Sequence, residues 1–268
     1  MGLRGKYTAH IVVAASAVGI SLAAWGAAAL ADGEAAARAE TGSHGPAPAE
    51  RAKEPAAPAP VSRVKVPEGI AHAAEAGGKA VNITIDDGPD PRWTPQVLDV
   101  LKENGVKAVF CMVGPQAKAH PDLVRKVVAD GHRLCDHTTS HDTSMDKKSV
   151  AYQKQQILEA KKMIEEAAGG ARVEYYRAPG GAFTPSSRRI AAEAGMRPLG
   201  WNVDTKDFET PGTGAIVATV KNELPNGPTI LFHDGGGDRA QTVAALKQVL
   251  PWLKQQGRTF SFPVRTAP

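Results

Sequence analysis

Ala80-Val81-Asn82-Ile83-Thr84-Ile85-Asp86-Asp87-Gly88-Pro89-Asp90 is the stretch that decides the fold. Its first half is apolar and β-branched and predicts a strand. That strand delivers two adjacent carboxylates and then meets Gly88-Pro89, which cannot continue a ladder. Neighbouring residues on a strand point to opposite faces. Asp86 and Asp87 therefore reach one site only if the chain turns between or just after them. Two carboxylates held close repel unless a cation or proton sits between them. Asp-Gly and Gly-Pro are also ordinary surface-turn chemistry, so the motif does not stand alone as a site.

A second motif follows in His137-Thr138-Thr139-Ser140-His141. Histidines at i and i+4 can share one face of a helical turn and grip one metal. A carboxylate from the first strand would complete a two-His, one-carboxylate set with open positions. The bland alternative is a polar loop that contains histidine. A zinc finger needs two closely spaced cysteines, and Cys111 and Cys135 are too far apart for that.

Working outward, strand and helix patterns alternate after Val64. Strands are predicted over Val81–Asp86, Ala108–Val113, His132–Asp136, Val173–Arg177, Pro198–Val203 and Thr229–His233, with a short last one at Phe260–Phe262. Between them, Thr94-Pro95 reads as N-cap and N1 of a helix ending at Asn104-Gly105. Further helices are predicted over Pro121–Asp130, Ser149–Ala168, Ser186–Ala194, Thr213–Glu223 and Ala240–Gln256, the last kinked or broken at Pro251. Such alternation means parallel strands joined by crossover helices, in a barrel or an open sheet. Chemistry in a βα barrel sits on loops at the strand C-terminal ends. Asp86, Asp87, His137, Arg177, Asp207 and His233 all fall there.

The chain has 268 residues and a net charge of +4, without a dense Lys/Arg run, so nucleic acid is not expected as a partner. Arg4 and Lys6 precede an apolar run from Ile11 to Ala31, which ends in a small-x-small pattern. Residues 1–31 thus read as a secretory signal peptide, or as an N-terminal anchor if uncut. Residues 32–63 are rich in Ala, Pro and Glu and are expected to form a disordered spacer. Residues 64–268 are left as the catalytic domain. The expected location is secreted or tethered outside the cytoplasmic membrane of a bacterium, with membrane contact only through that N-terminal segment.

With these blocks in place, the chain resembles the NodB-like polysaccharide deacetylases, or carbohydrate esterase family four. Five segments match in order: Thr84–Pro89, His137–His141, Arg177-Ala178-Pro179-Gly180-Gly181, Asp204-Thr205-Lys206-Asp207-Phe208 and Leu231-Phe232-His233. The resemblance implies a distorted (β/α) barrel of about seven parallel strands and metal-dependent removal of acetyl groups from sugars. It makes Asp87, His137 and His141 the ligands of a divalent metal, zinc first, with cobalt, nickel or iron also suited. It makes Asp86 the base, paired with Arg177, and His233 the acid, oriented by Asp207. Leu231 and Phe208 would line the acetyl pocket, and the Gly180 N–H would hold the oxyanion.

Three positions depart from the family pattern. Ile85 stands where Phe is commoner, Phe208 where Trp is usual, and Gly180 where Tyr is frequent. The chemistry is untouched, but an aromatic flank for the sugar is lost. The expected partner is an acetylated polysaccharide, most naturally peptidoglycan N-acetylglucosamine or chitin-like oligomers, met by a monomer. Acetylated xylan, cleaved as an ester, is the rival. A non-catalytic carbohydrate-binding relative would lack the base or acid, whereas Asp86 and His233 are present. A non-haem iron oxygenase would sit on antiparallel sheets. Taken singly, Arg177 could be a surface arginine, Asp207 a helix cap and His233 a buried core histidine.

Cys111 and Cys135 lie near the C-terminal ends of two strands expected to be neighbours. An oxidising space allows a disulfide between them, and two buried thiols are the alternative. A bridge is expected, although adjacent-strand geometry often fits one poorly.

Overall fold

The structure is a computed structural model and describes residues 66–267. The expected signal or anchor (1–31) and spacer (32–63) lie outside the described residues.

The strands are β1 (Ala80–Asp86), β2 (Ala108–Met112), β3 (Arg133–Asp136), β4 (Val173–Tyr176), β5 (Arg197–Pro198), β6 (Val203–Asp204), β7 (Thr229–His233) and β8 (Thr259–Phe260). The helices are α1 (Thr94–Glu103), α2 (Gly114–Ala119), α3 (Pro121–Ala129), α4 (Val150–Ala167), α5 (Pro185–Glu193), α6 (Thr213–Glu223) and α7 (Ala240–Gln255). Sheet order is β5-β4-β3-β2-β1-β7-β6, and every pairing is parallel. β8 adds in parallel to the start of β1. The result is a curled half-barrel with helices packed outside.

β1, β2 and β7 are buried at every position. Strands covered on both faces read as continuous apolar runs, which is why their sequence signal was plain. Phe110 and Met112 face the helices with Leu98, Leu101 and Ile157. Val109 and Cys111 face the other way, onto Cys135, Tyr175 and Leu199. Each such side chain contributes about 1.5–3 kcal/mol by leaving water. Cys111 and Cys135 are register partners on β2 and β3 and are joined by the expected disulfide.

Several local expectations are corrected. The strand expected over Pro198–Val203 is two strands, β5 and β6, at opposite edges of the sheet. Leu199–Asn202 spans the opening between the edges. There Gly200 lies so close to His72 that a Cβ would meet its ring at 2.3 Å. α7 runs through Pro251 unbroken. Helix α2 was missed because it has only six residues. Thr94 is the first residue of α1 rather than its cap, and its hydroxyl bonds Asp90 N–H and Asp234 instead. The final strand is Thr259–Phe260 rather than Phe260–Phe262.

Candidate active site

The site lies at the C-terminal ends of the strands and begins where β1 stops. Asp86 is its last residue, and Asp87 takes a left-handed φ of 78°. Asp tolerates that region better than bulkier residues do. The turn brings two carboxylates that a strand would point apart onto one side. Gly235, on the loop after β7, packs against this turn. A Cβ there would lie 2.5 Å from the Asp87 carbonyl, and one on Gly236 would lie 3.0 Å from Asp87 Oδ2. The glycines after His233 thus permit a contact that no other residue would.

His137 and His141 do converge, but not on a helical turn. The segment after β3 is a loop with positive φ at Thr138 (68°) and His141 (51°). Thr138 N–H donates to Asp136 Oδ1 at 2.7 Å, and His141 N–H donates to Thr138 Oγ1 at 3.2 Å. His137 Nδ1 donates to the Arg177 carbonyl at 2.8 Å, which leaves Nε2 as the free nitrogen. That nitrogen lies 3.5 Å from Asp87 Oδ1, and His141 Nε2 lies 3.1 Å from the same atom.

These three residues could hold a metal ion. One ligand atom from each lies within 4.8 Å of the others. Asp87 Oδ1 is buried and has no hydrogen-bond donor, as expected of an oxygen whose partner is a cation. Two imidazole nitrogens and one carboxylate oxygen suit zinc and its first-row neighbours. Burial opposes ionisation of Asp87. The His141 side chain and the charges of His137 and His233 outweigh it and hold the carboxyl well below the usual range. Burial pushes His137 down, toward the neutral form a ligand needs. Contact with Asp87 pushes His141 up.

Asp86 is gripped from the other side. Arg177 is fully buried, yet each of its nitrogens is satisfied. Nη1 donates to Asp86 Oδ1 at 2.7 Å and to Thr84 Oγ1 at 3.0 Å. Nε and Nη2 donate to the carbonyls of Leu199 and Gly200, in the segment that spans the barrel opening. A buried ion pair in which every guanidinium nitrogen is hydrogen-bonded escapes the worst of the desolvation cost.

Across β1, β7 sets Leu231 beside Thr84 and His233 beside Asp86. Alternation then places Leu231 and His233 on one face. His233 Nδ1 pairs with Asp207 Oδ1 at 2.6 Å. Burial alone would lower the His233 pKa, but Asp207, then Asp86 and Asp87, raise it to about 9. Burial works against the Asp207 charge, and the bonds and charge of His233 overcome it. Phe208 stands edge-on to His233, ring centres 5.2 Å apart, and is 45% exposed.

Gly180 adopts φ 59° in the turn after β4. The turn's own bonds run from Gly181 N–H to Ala178 and from Ala182 N–H to Pro179, so the Gly180 N–H takes no part in them. Contacts and register bring Asp86, Asp87, His137, His141, Arg177, Asp207, Phe208 and His233 together, with Leu231 two residues before His233 on β7, while Gly180 lies in the turn after β4 against Thr143. Sequence reasoning missed Asp136, Thr205, Asp234, Gly235 and Thr242. Asp234 follows His233 and was open to notice. Burial drives its pKa up to about 7 against the pull of Thr94.

The comparisons with known proteins agree with this geometry. A sequence model described as polysaccharide deacetylase matches residues 73–199. A peptidoglycan-N-acetylglucosamine deacetylase of Bacillus cereus is 40% identical over 187 residues, covering 68% of this chain and 85% of the relative. A chitooligosaccharide deacetylase of Sinorhizobium fredii is 38% identical over 204 residues, covering 72% and 92%. Among solved structures, a peptidoglycan N-acetylglucosamine deacetylase bound to an N-oxidanyl-benzamide superposes with TM-score 0.67 at 31% identity, covering 72% of this chain and 90% of that one. With the fold, the five sequence blocks and these relatives in agreement, the chain belongs to the polysaccharide deacetylase family, hydrolases of carbohydrate esterase family four.

Proposed function

We propose that this enzyme is metal-dependent and removes N-acetyl groups from N-acetylglucosamine units, in peptidoglycan or in chitin-like oligomers. The observation that carries the reading is the opposition of two sets: Asp86 beside the Asp87–His137–His141 cluster, and His233 on the neighbouring strand paired with Asp207 from the loop after β6. The names of the relatives support the choice of an N-acetylated sugar.

When bound by Asp87, His137 and His141, a divalent ion would supply Lewis-acid polarisation of the acetyl carbonyl and a more acidic water. The chain's own groups supply the rest. Arg177 occupies Asp86 Oδ1, so Oδ2 is left to take the proton of the attacking water. The Gly180 N–H donates to the oxygen that gains charge. An amine is a poor leaving group and must be protonated as it departs. His233, with a pKa of about 9, carries that proton at neutral pH and gives it from Nε2, because Nδ1 is held by Asp207. Asp86 gains one proton from water and His233 gives one to the leaving nitrogen. The products are the amine and acetic acid, which ionise to ammonium and acetate, and the two residues regain their starting states by passing that proton back.

The apolar segment Ile11–Ala31 and the Cys111–Cys135 disulfide support a site of action outside the cytoplasmic membrane. The test measures free-amine formation on purified wall glycan and on chitin oligomers, beside acetate release from acetylated xylan. Amine formation that stops on chelation is the expected result. Release confined to xylan would overturn the N-acetyl assignment.

A further inference from the structure

Asp207 sits in the loop after β6, facing the first turn of α7, and its carboxylate accepts three hydrogen bonds. His233 gives two of them, from Nδ1 to Oδ1 at 2.6 Å and from its backbone N–H to Oδ2 at 2.9 Å. Thr205 Oγ1 also lies 3.1 Å from Oδ1, but its one proton goes to the Leu231 carbonyl at 2.7 Å. The third comes from outside this strand pair: Thr242 Oγ1, on α7, donates to Oδ2 at 2.7 Å. Thr242 is fully buried. A threonine within a helix usually returns its hydroxyl to the carbonyl four residues back. This one reaches across to the sheet instead. Its place in the first turn of a 16-residue helix also sets Asp207 at the positive end of that helix.

We propose that Thr242 is a positioning residue for the acid: its hydroxyl fixes the rotation of the Asp207 carboxylate, and the carboxylate in turn aims His233 at the leaving amine. Without the Thr242 hydroxyl, the carboxylate keeps only the ring and backbone N–H groups of His233, so no donor outside the residue it must orient fixes its last torsion, which is broad and soft. Rotation would carry Oδ1 away from Nδ1 and let the imidazole swing. The Thr242 hydroxyl hydrogen-bonds only to Asp207 among the described residues, so its effect passes through that carboxylate. The role rests on the acid function given to His233 above.

The test compares Thr242→Val, which keeps the shape and removes the donor, with Thr242→Ser, which keeps the donor. His233→Ala is the control. The purified protein is assayed on an N-acetylated chitin oligomer and on 4-nitrophenyl acetate, whose leaving group needs no acid. In Thr242→Val, kcat on the oligomer should fall about 10-fold or more with KM within about twofold, while ester turnover changes little. Thr242→Ser should restore the amide rate. The His233 Nδ1 proton, read by NMR, should lie far downfield in the unmodified protein. It should move upfield or exchange away in Thr242→Val and return in Thr242→Ser. An unchanged amide-to-ester ratio with an unchanged Nδ1 proton would overturn the proposal, whatever the melting temperature does. If His233→Ala itself spares the ratio, the acid role fails. If that variant collapses the ratio and Thr242→Val does not, only the positioning role fails. Should Thr242→Val not fold, Thr242→Ala gives the same readings.

Discussion

Arg177 Nη1 meets Asp86 Oδ1 at 2.7 Å, and that contact separates the two neighbouring carboxylates. Asp86 is anchored to a fixed cation, whereas Asp87 turns its unbonded Oδ1 to two imidazoles. Asp86→Asn should therefore lose about 10²–10⁴-fold in turnover and still bind a full equivalent of metal. Asp87→Asn and His137→Ala should lose metal affinity itself. Metal titration against a chromophoric chelator separates the two classes. Equal loss of metal in Asp86→Asn and Asp87→Asn would remove the distinction. The same titration should weaken as pH falls, because His141, raised by Asp87 in the metal-free site, must give up its proton to bind.

His132 makes a separate prediction about stability. It is buried beside Phe110, and its Nδ1 accepts the Ala108 N–H at 3.0 Å, so the fold requires the neutral ring. Burial lowers its pKa from 6.5 to about 4, with the Lys107 charge adding to the effect. A depressed histidine contributes stability that is present above pH 6.5 and is lost as pH falls toward 4. The full loss is about 3 kcal/mol at 1.36 kcal/mol per unit. Urea unfolding at pH 7 and pH 4.5 should show most of that drop. His132→Asn retains an acceptor for Ala108 but cannot titrate, and it should flatten the acid side. An equal acid loss in that variant would assign the effect to other groups.

How much of this was legible in the sequence depends on the range of each interaction. The fully buried strands β1, β2 and β7 announce themselves as apolar runs, and the blocks at their ends carry Asp86, Asp87 and His233. The two-residue strands β5 and β6 do not, because no periodicity fits in two residues and their pairing is fixed by opposite edges of the sheet. The His137–His141 spacing indicated a shared metal but suggested the wrong backbone. A positive φ at Thr138 and His141 is decided by Asp136 and Thr138 hydrogen bonds that spacing does not reveal. Thr242 was invisible for the same reason: a threonine in an amphipathic helix looks like any other until Asp207 is placed beside it.

The glycines after His233 give the third prediction. Gly235→Ala would set a methyl 2.5 Å from Asp87 backbone atoms, which cannot rotate away as a side chain could. Overpacking of this kind costs about 1–3 kcal/mol. The displaced element is the Asp87 turn, so metal affinity should fall along with stability. Gly214→Ala is the matched control, since a Cβ there meets nothing within 4 Å and the residue lies in helix α6. That change should be neutral or stabilise by up to about 1 kcal/mol. Calorimetry with and without added zinc reads both effects. A Gly235→Ala variant with undiminished zinc stabilisation would show that the close contact is not needed for the ligand turn.

The last prediction concerns Phe208. It is one of two large apolar side chains exposed among the described residues, and it leans on the ring of the acid. An exposed aromatic beside the His233–Asp207 pair can offer a flat face to a sugar ring, and under the proposed function it would serve binding rather than proton transfer. Phe208→Ala should therefore raise KM for chitin oligomers several-fold, leave kcat within about threefold, and leave hydrolysis of 4-nitrophenyl acetate nearly unchanged. Phe208→Trp should lower KM on oligomers, since the larger ring buries more apolar surface at about 25 cal/mol per Å². A fall in kcat on both substrates would instead mean that Phe208 holds His233 in place through their edge contact. It would then belong with Asp207 rather than with the sugar-binding wall.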